Sequence, residues 1–266
     1  MTFWLNGTPA TDISLADRGL TLGDGHFTTI LVNNGHLHLW PLHRQRLQQA
    51  NLALGFLDPD WPALESQLAD IAQQAQRGCV RISFTRGASG RGYQGQWQVT
   101  PNCIIQLSPL PAHYSVWQQQ GIEVMVADVT LPFGGPLVGI KTLGRAEQVL
   151  IKQSLSNTDC DDLLLLDPFA NVIEASAGNL FVLIDGVVVT PQLSYSGIAG
   201  VMRQQLITAV VQLGYPVQVR PLHLAELAQA QQGVISNCLM GAVPIKQIDG
   251  KPMDSMDLAH SLQEQL

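Results

Sequence analysis

Short apolar runs, most of them closed by a glycine, a proline or an Asn-Gly or Asp-Gly pair, recur along the whole chain and alternate with stretches of helical periodicity. Runs of about 4–8 apolar residues between turn formers read as strands, and apolar positions three and four apart read as helix faces. The chain is therefore expected to be a mixed α/β (α+β) protein.

Trp4 and Leu5 run into a turn at Asn6-Gly7, and residues 27–32 and 36–40 form a hairpin around Asn33-Asn34-Gly35, because Asn-Gly favours tight strand reversal. Pro41 opens a helix with Leu42, Arg46, Leu47, Ala50 and Leu54 at helical spacing up to Gly55. A second helix runs from about Trp61 to Gln76 and ends at Gly78, and strands at 80–85 and 103–107 flank a glycine-rich loop at 86–93. Prolines and a change of rhythm at 110–114 mark a linker. The expected organisation is two lobes: a smaller one over 1–110, a linker over 111–121 and a larger lobe over 122–266. In the larger lobe, 121–129 and 163–166 read as strands around a helix at 145–154. Residues 172–174 and 179–184 are expected to pair with 187–190 around Asp185-Gly186. Gly200 opens a helix that Gly214 ends, followed by a strand at 233–236 and a short helix near 256–263. No internal repeat is visible.

Composition narrows the function. Of 266 residues, 46% are hydrophobic and 13% charged, which supplies a buried core and excludes a disordered chain. Fourteen basic against 21 acidic residues give a net charge of −7. That excludes the basic footprint of a nucleic-acid binder and the polybasic runs that hold proteins to anionic membranes. An anionic substrate then has to be held by a few placed arginines, because the overall field opposes it. Cys79, Cys103, Cys160 and Cys238 are scattered, with no CxxC or Cys/His cluster, so no metal site is expected. A polar N-terminus and charge-broken apolar runs predict a soluble cytoplasmic protein with reduced thiols.

Four features bear on chemistry. The chain has only four lysines, and Lys141 alone is embedded in apolar residues and glycines, in Pro136-Leu137-Val138-Gly139-Ile140-Lys141-Thr142-Leu143. Either it snorkels from a strand end, or it is held where its amine is poised for Schiff-base chemistry. Glu174, one of six glutamates, lies among apolar and small residues and needs a cationic or hydrogen-bonding partner, whether a core arginine or a protonated pyridine nitrogen. The run Ser196-Gly197-Ile198-Ala199-Gly200-Val201-Met202-Arg203 enters a helix without a Ser, Thr or Asp cap, leaving backbone N–H groups for an anion. Arg46, on the early helix, is either solvated or a second phosphate contact. Together the four suit a ligand carrying an aldehyde, a pyridinium and a phosphate, which is pyridoxal 5′-phosphate.

The chain resembles the fold-type IV pyridoxal-phosphate enzymes, the group with a D-amino acid aminotransferase-like architecture. The resemblance is carried by Leu22-Gly23-Asp24-Gly25-His26-Phe27, by the helix with His43 and Arg46, by Gly139-Ile140-Lys141 and by Glu174-Ala175-Ser176-Ala177-Gly178-Asn179. It continues through Gly197-Ile198-Ala199-Gly200-Val201-Met202-Arg203 and Ser236-Asn237-Cys238-Leu239-Met240. Within that group, Thr28-Thr29, Gly90-Arg91-Gly92-Tyr93, Pro111-Ala112-His113-Tyr114 and Gln148-Val149-Leu150-Ile151 are similar to the bacterial aminodeoxychorismate lyases. One departure stands out: Gly144-Arg145-Ala146 replaces the usual asparagine–arginine–leucine run and leaves the lysine in register.

The resemblance implies Lys141 bonded to the cofactor aldehyde, Glu174 at the pyridine nitrogen, and Arg46, Val201, Met202, Asn237 and Cys238 around the phosphate, with the site between the lobes. It implies a homodimer and a lyase that turns 4-amino-4-deoxychorismate into 4-aminobenzoate and pyruvate for folate biosynthesis. Thr28 or Thr29 is expected to help protonate the leaving group, and His26 and Arg91 to contact substrate. A D-amino acid or branched-chain aminotransferase would share every cofactor residue, and a non-catalytic binding protein would hold the cofactor without turnover.

Overall fold

The computed structural model describes Met1–Leu266 and divides into two compact units, Met1–Pro111 with Ile140–Gly144, and Ala112–Gly139 with Arg145–Leu266.

The first unit comprises β1 (Thr2–Leu5), β2 (Thr8–Pro9), α1 (Arg18–Leu22), β3 (Gly25–Asn33), β4 (His36–Leu37), α2 (Trp40–Leu54), α3 (Trp61–Ala75), β5 (Arg77–Thr85) and β6 (Asn102–Ser108). Its six strands form one sheet in the order β2-β1-β6-β5-β3-β4. Successive strand residues face opposite sides. Ile30, Val32, Val80, Ile82, Phe84 and Ile105 therefore share one face, packed under Leu47 of α2 and Leu64, Leu68 and Ile71 of α3. α2 begins at Trp40, after Leu39 in a left-handed conformation, which shortens the expected second hairpin strand to His36–Leu37. α3 ends at Gln76, whose φ is +56°, and Gly78 already lies inside β5.

The second unit continues with α4 (Tyr114–Gln120), β7 (Ile122–Thr130), a 3-10 turn, α5 (Ala146–Leu155), β8 (Asp162–Leu166), β9 (Val172–Ala175), β10 (Asn179–Ile184), β11 (Val187–Pro191), α6 (Val201–Gln212) and β12 (Val217–Arg220). After a second 3-10 turn come β13 (Gln232–Asn237), β14 (Gly241–Ile248), β15 (Lys251–Pro252) and α7 (Asp257–Gln263). These strands build a nine-stranded sheet in the order β12-β11-β10-β13-β14-β7-β8-β9, with β15 beside β14. β8 is buried on both faces: Leu164 and Leu166 join one core, and Leu163 and Leu165 join another with Ile151 and Ile173. A strand covered on both sides reads as an uninterrupted apolar run, as Leu163-Leu164-Leu165-Leu166 does.

Three expectations are corrected, and one strand is added. The stretch 111–121 is not an extended linker: His113, Tyr114 and Trp117 pack their rings together, and α4 fills most of it. Lys141 does not group with the larger lobe, because 140–144 belongs to the first unit. β9 pairs with β8 rather than β11, while β10 and β11 form the expected hairpin. β14, near the middle of the sheet, was absent from the sequence reading.

Candidate active site

Lys141 is fixed by its backbone. Its carbonyl accepts the Phe27 N–H at 2.9 Å, Leu143 N–H donates to the Gly25 carbonyl at 3.0 Å, and Thr142 bridges His26 in antiparallel register. The segment is thus a short edge strand on β3 that puts Lys141 opposite Phe27, with Nζ 4.8 Å from the centre of the Phe27 ring. β3 needs glycine here: a Cβ on Gly25 would lie 2.1 Å from the Phe84 carbonyl. Gly144, which departs from the subfamily pattern, has nothing within 4 Å of where its Cβ would be. A Cβ at that position would therefore meet no obstacle.

Alternation along β3 separates the two threonines. Thr29 lies on the Phe27 face, partly exposed, directly across from Arg81 of β5. Thr28 and His26 lie on the other face, against α2, 0% and 1% exposed. Thr28 Oγ1 is hydrogen-bonded to His43 Nδ1 at 2.6 Å, and His26 Nε2 to Asn51 Oδ1 at 2.8 Å. The expected substrate contact of His26 and proton-transfer role of Thr28 therefore meet a physical obstacle: both side chains are committed to the core.

Both histidines are uncharged. Burial, reinforced by the Arg46 charge, lowers His26 to about 4 despite its bond to Asn51. Burial, then Arg46 and His38, lowers His43 to about 3. An unfolded histidine titrates near 6.5, so below that pH the unfolded chain binds more protons and stability falls as pH falls. Each histidine contributes a slope of about 1.4 kcal/mol per pH unit, down to its folded value. The melting temperature is expected to drop steadily between pH 6.5 and 4.5. A flat profile would mean that both imidazoles take up protons in the fold.

Arg91 is exposed on the glycine-rich loop, and that loop is firmly held. Arg18 donates to the carbonyls of Ser89, Gly92 and Tyr93, and Arg86 to those of Gln96 and Leu54. The Nε of each arginine also donates to Asp24 Oδ2 at 2.8 Å. Burial pushes the Asp24 carboxyl up, but the hydrogen bonds and charges of Arg86 and Arg18 prevail and hold it below the usual carboxylate range.

In the second unit, Glu174 is 6% exposed on β9, and its Oε2 accepts the Ile198 N–H at 3.0 Å and Asn179 Nδ2 at 3.4 Å. Asn179 Nδ2 also donates to the Ile198 carbonyl at 2.9 Å, tying the carboxylate to the loop that enters α6. That loop requires glycine at Gly200, where a Cβ would stand 2.0 Å from Asn179 Oδ1. Arg145 and Arg203 are within electrostatic reach of Glu174; burial lowers both guanidinium pKa values, and the carboxylate opposes the shift. α6 starts at Val201 with no side-chain cap, Val201 and Met202 both buried. Asn237, next to Cys238, spends its side chain on the Ala177 carbonyl and the N–H groups of Leu239 and Met240. What it can offer a ligand is backbone. Arg46 is partly buried on α2. Lys141, Thr29 and Phe27 are thus gathered in one unit, and Glu174, Asn179 and the start of α6 in the other. Sequence reading missed Arg81, although its position between Val80 and Ile82 in an alternating strand signals a polar side chain on the opposite face.

No group of three or more His, Cys, Asp or Glu side chains could hold a metal ion, and no helix is long and apolar enough to cross a membrane. The chain is 34% identical over 255 residues to the aminodeoxychorismate lyase of Vibrio harveyi, covering 96% of this chain and 94% of that protein. It superposes on the crystal structure of 4-amino-4-deoxychorismate lyase from Pseudomonas aeruginosa with a TM-score of 0.93 at 33% identity, covering 99% of this chain and 97% of that one. A branched-chain amino acid aminotransferase from Escherichia coli shares the fold, with a TM-score of 0.87 at 21% identity over 99% of this chain and 92% of that one. Residues 25–248 match the class IV amino-transferase family model, and the chain belongs to that family, whose fold-type IV members depend on pyridoxal 5′-phosphate.

Proposed function

We propose that this chain is a 4-amino-4-deoxychorismate lyase, which eliminates pyruvate from its substrate and leaves 4-aminobenzoate for folate biosynthesis. The observation that carries the reading is the likeness to the Vibrio harveyi enzyme along 96% of the chain. The side chains fit the cofactor chemically. Lys141 offers an amine to its aldehyde, and Glu174 a carboxylate to its pyridine nitrogen. Arg46, with backbone N–H groups at Val201 and Met202 and around Asn237 and Cys238, offers donors to its phosphate.

When bound, the cofactor supplies the electron sink for the bond-breaking step. Glu174, held by Ile198 and Asn179, would favour a proton on the pyridine nitrogen by offering it a carboxylate. Lys141 Nζ would hold the cofactor through its aldehyde, and as a free amine it would take the proton from the carbon beside the substrate amine. The bond from the ring to the enolpyruvyl oxygen breaks, its electron pair leaving with the oxygen. Thr29 Oγ1 gives that oxygen a proton and regains one from Lys141, and the released enolpyruvate tautomerises to pyruvate. The ring left behind is aromatic, so the elimination is downhill and the residues chiefly position proton and leaving group. Arg91, on its anchored loop, is a candidate substrate contact. The same reading expects a cytoplasmic homodimer.

Incubating the cofactor-loaded protein with enzymatically prepared 4-amino-4-deoxychorismate tests this: equal amounts of 4-aminobenzoate and pyruvate are expected. The threonines give a second check. Thr29→Val should lower kcat by about a hundredfold. Thr28→Val should leave kcat within about twofold, yet destabilise the fold by about 1–3 kcal/mol, because His43 Nδ1 loses its partner. The opposite pattern would transfer the proton-transfer role to Thr28. An aminotransferase on the same residues is the second reading, favoured by the 24% identity to a bifunctional aminodeoxychorismate lyase / D-amino acid transaminase of Mycobacterium tuberculosis. Alanine-dependent conversion of the cofactor to its amine form, without 4-aminobenzoate, would select it.

A further inference from the structure

The polar side chains buried between β3 and α2 take no part in the reaction above, and packing does not account for them. Thr28 and His26 of β3 and His43 and Asn51 of α2 are all buried. They make two hydrogen bonds, Thr28 Oγ1 with His43 Nδ1 at 2.6 Å and His26 Nε2 with Asn51 Oδ1 at 2.8 Å. The second has a fixed direction. Asn51 Nδ2 donates to Asp58 Oδ1 at 2.8 Å, so Asn51 Oδ1 faces His26, and the His26 proton lies on Nε2. His43 Nε2 is buried with no hydrogen-bond partner in the protein. Leucines would fill this seam at lower cost, since an unmet buried polar atom is unfavourable.

Register is what such bonds supply. Apolar contacts such as those among Leu47, Ile30 and Val32 tolerate sliding, whereas two directional bonds about two turns apart on α2 allow one alignment. Arg46 lies between the two, one turn after His43, and its charge acts on both imidazoles. On β3 the bonds leave from His26 and Thr28, and Phe27 between them donates its N–H to the Lys141 carbonyl at 2.9 Å. Three consecutive residues thus tie down both the helix that carries Arg46 and the edge strand that carries Lys141, all within the first unit. A cofactor whose aldehyde and phosphate are joined covalently asks for one fixed spacing between amine and guanidinium. A slip of α2 by one turn would shift Arg46 by about 5.4 Å.

We propose that His43 and Asn51 are positioning residues for the cofactor: through Thr28 and His26 they set the distance from Arg46 to Lys141, and so determine how tightly the phosphate is held. The inference rests on the assignment of Lys141 to the aldehyde and of Arg46 to the phosphate, and is independent of the lyase activity.

The test strips the full-length protein of cofactor and retitrates it with pyridoxal 5′-phosphate and with pyridoxal, which has the aldehyde and lacks the phosphate, following the absorption of the bound ligand. His43→Leu and Asn51→Leu are expected to raise the dissociation constant for pyridoxal 5′-phosphate about tenfold, and that for pyridoxal by less than about twofold. His43→Asn, whose amide nitrogen stands where Nδ1 does, should recover most of the loss. In an Arg46→Met background, His43→Leu should cost nothing further, because the group it positions is gone. A purely structural pair of bonds would weaken both ligands alike, and its loss would add to that of Arg46→Met. Equal losses for the two ligands, additivity with Arg46→Met, or affinities within about twofold of wild type in both leucine variants overturn the proposal. Where a leucine variant does not fold, His43→Gln, which keeps a polar group near Nε2 and loses the one at Nδ1, takes its place under the same limits. Weakened binding in Arg46→Met beside wild-type binding in the leucine variants overturns this proposal alone. Unchanged binding in Arg46→Met removes Arg46 from the phosphate and takes the proposal with it.

Discussion

Lys141→Ala is expected to bring release of 4-aminobenzoate and pyruvate to background, a loss of at least about a thousandfold. The chain has no second lysine to substitute. Lys152 is paired with Asp162 at 3.0 Å, Lys246 with Glu123 at 2.9 Å, and Lys251 donates to the Ala228 carbonyl. The loss should be chemical rather than structural, because the bonds that build the 141–143 edge strand are made by backbone atoms and survive truncation. An enzyme-coupled pyruvate assay, with melting temperatures alongside, separates the two. A variant that retains a tenth of wild-type turnover would remove Lys141 from the chemistry.

Glu174→Gln is the second large effect. The amide can still accept the Ile198 N–H through its oxygen, so shape and loop contact are largely kept while the negative charge is lost. Without that charge nothing holds a proton on the pyridine nitrogen, and kcat is expected to fall by on the order of a hundredfold or more. Arg145 and Arg203 also lose the carboxylate that favours their charged forms, so some thermal stability should go with the activity. Dialysis and the absorption of the bound cofactor show whether it stays in place. A variant that keeps its cofactor and its full turnover would end the assignment.

How much was legible in the sequence depended on whether the signal was local. The hairpin at Asn34-Gly35, α2 between Pro41 and Gly55, and the apolar run of β8 follow from adjacent residues, and each lies close to where it was expected. β14 was hidden by Pro244, since proline removes a ladder donor and argues against an interior strand. The fold accommodates it opposite Val234, next to a register shift between Ile245 and Gln247. β9 was misassigned because hairpin logic pairs sequence neighbours, whereas Glu174 opposes Leu165 of β8. In the site, Lys141 and Glu174 announced themselves as charges in apolar company. Telling Thr29 from Thr28 required the face of β3 buried by α2, which residue type does not reveal. Arg81 carries a signal in its alternation, but its contact with the Phe27 ring, more than 50 positions earlier in the chain, leaves no trace in the sequence.

The edge strand at 140–144 also has a consequence for biosynthesis. A ribosome delivers the chain from its N-terminus, and every strand of the six-stranded sheet has been made by Ser108. The Gly25–Phe27 stretch of β3 must nevertheless wait while residues 112–139 emerge before Lys141 and Leu143 arrive to bond it. Until then the nascent sheet carries open backbone donors and acceptors, the feature that invites pairing with another chain. A polypeptide halted at Pro111 would keep that edge permanently and should aggregate. The lysine expected to perform the chemistry thus lies on the segment that seals the sheet, so a chain that fails to finish the edge also lacks its reactive amine.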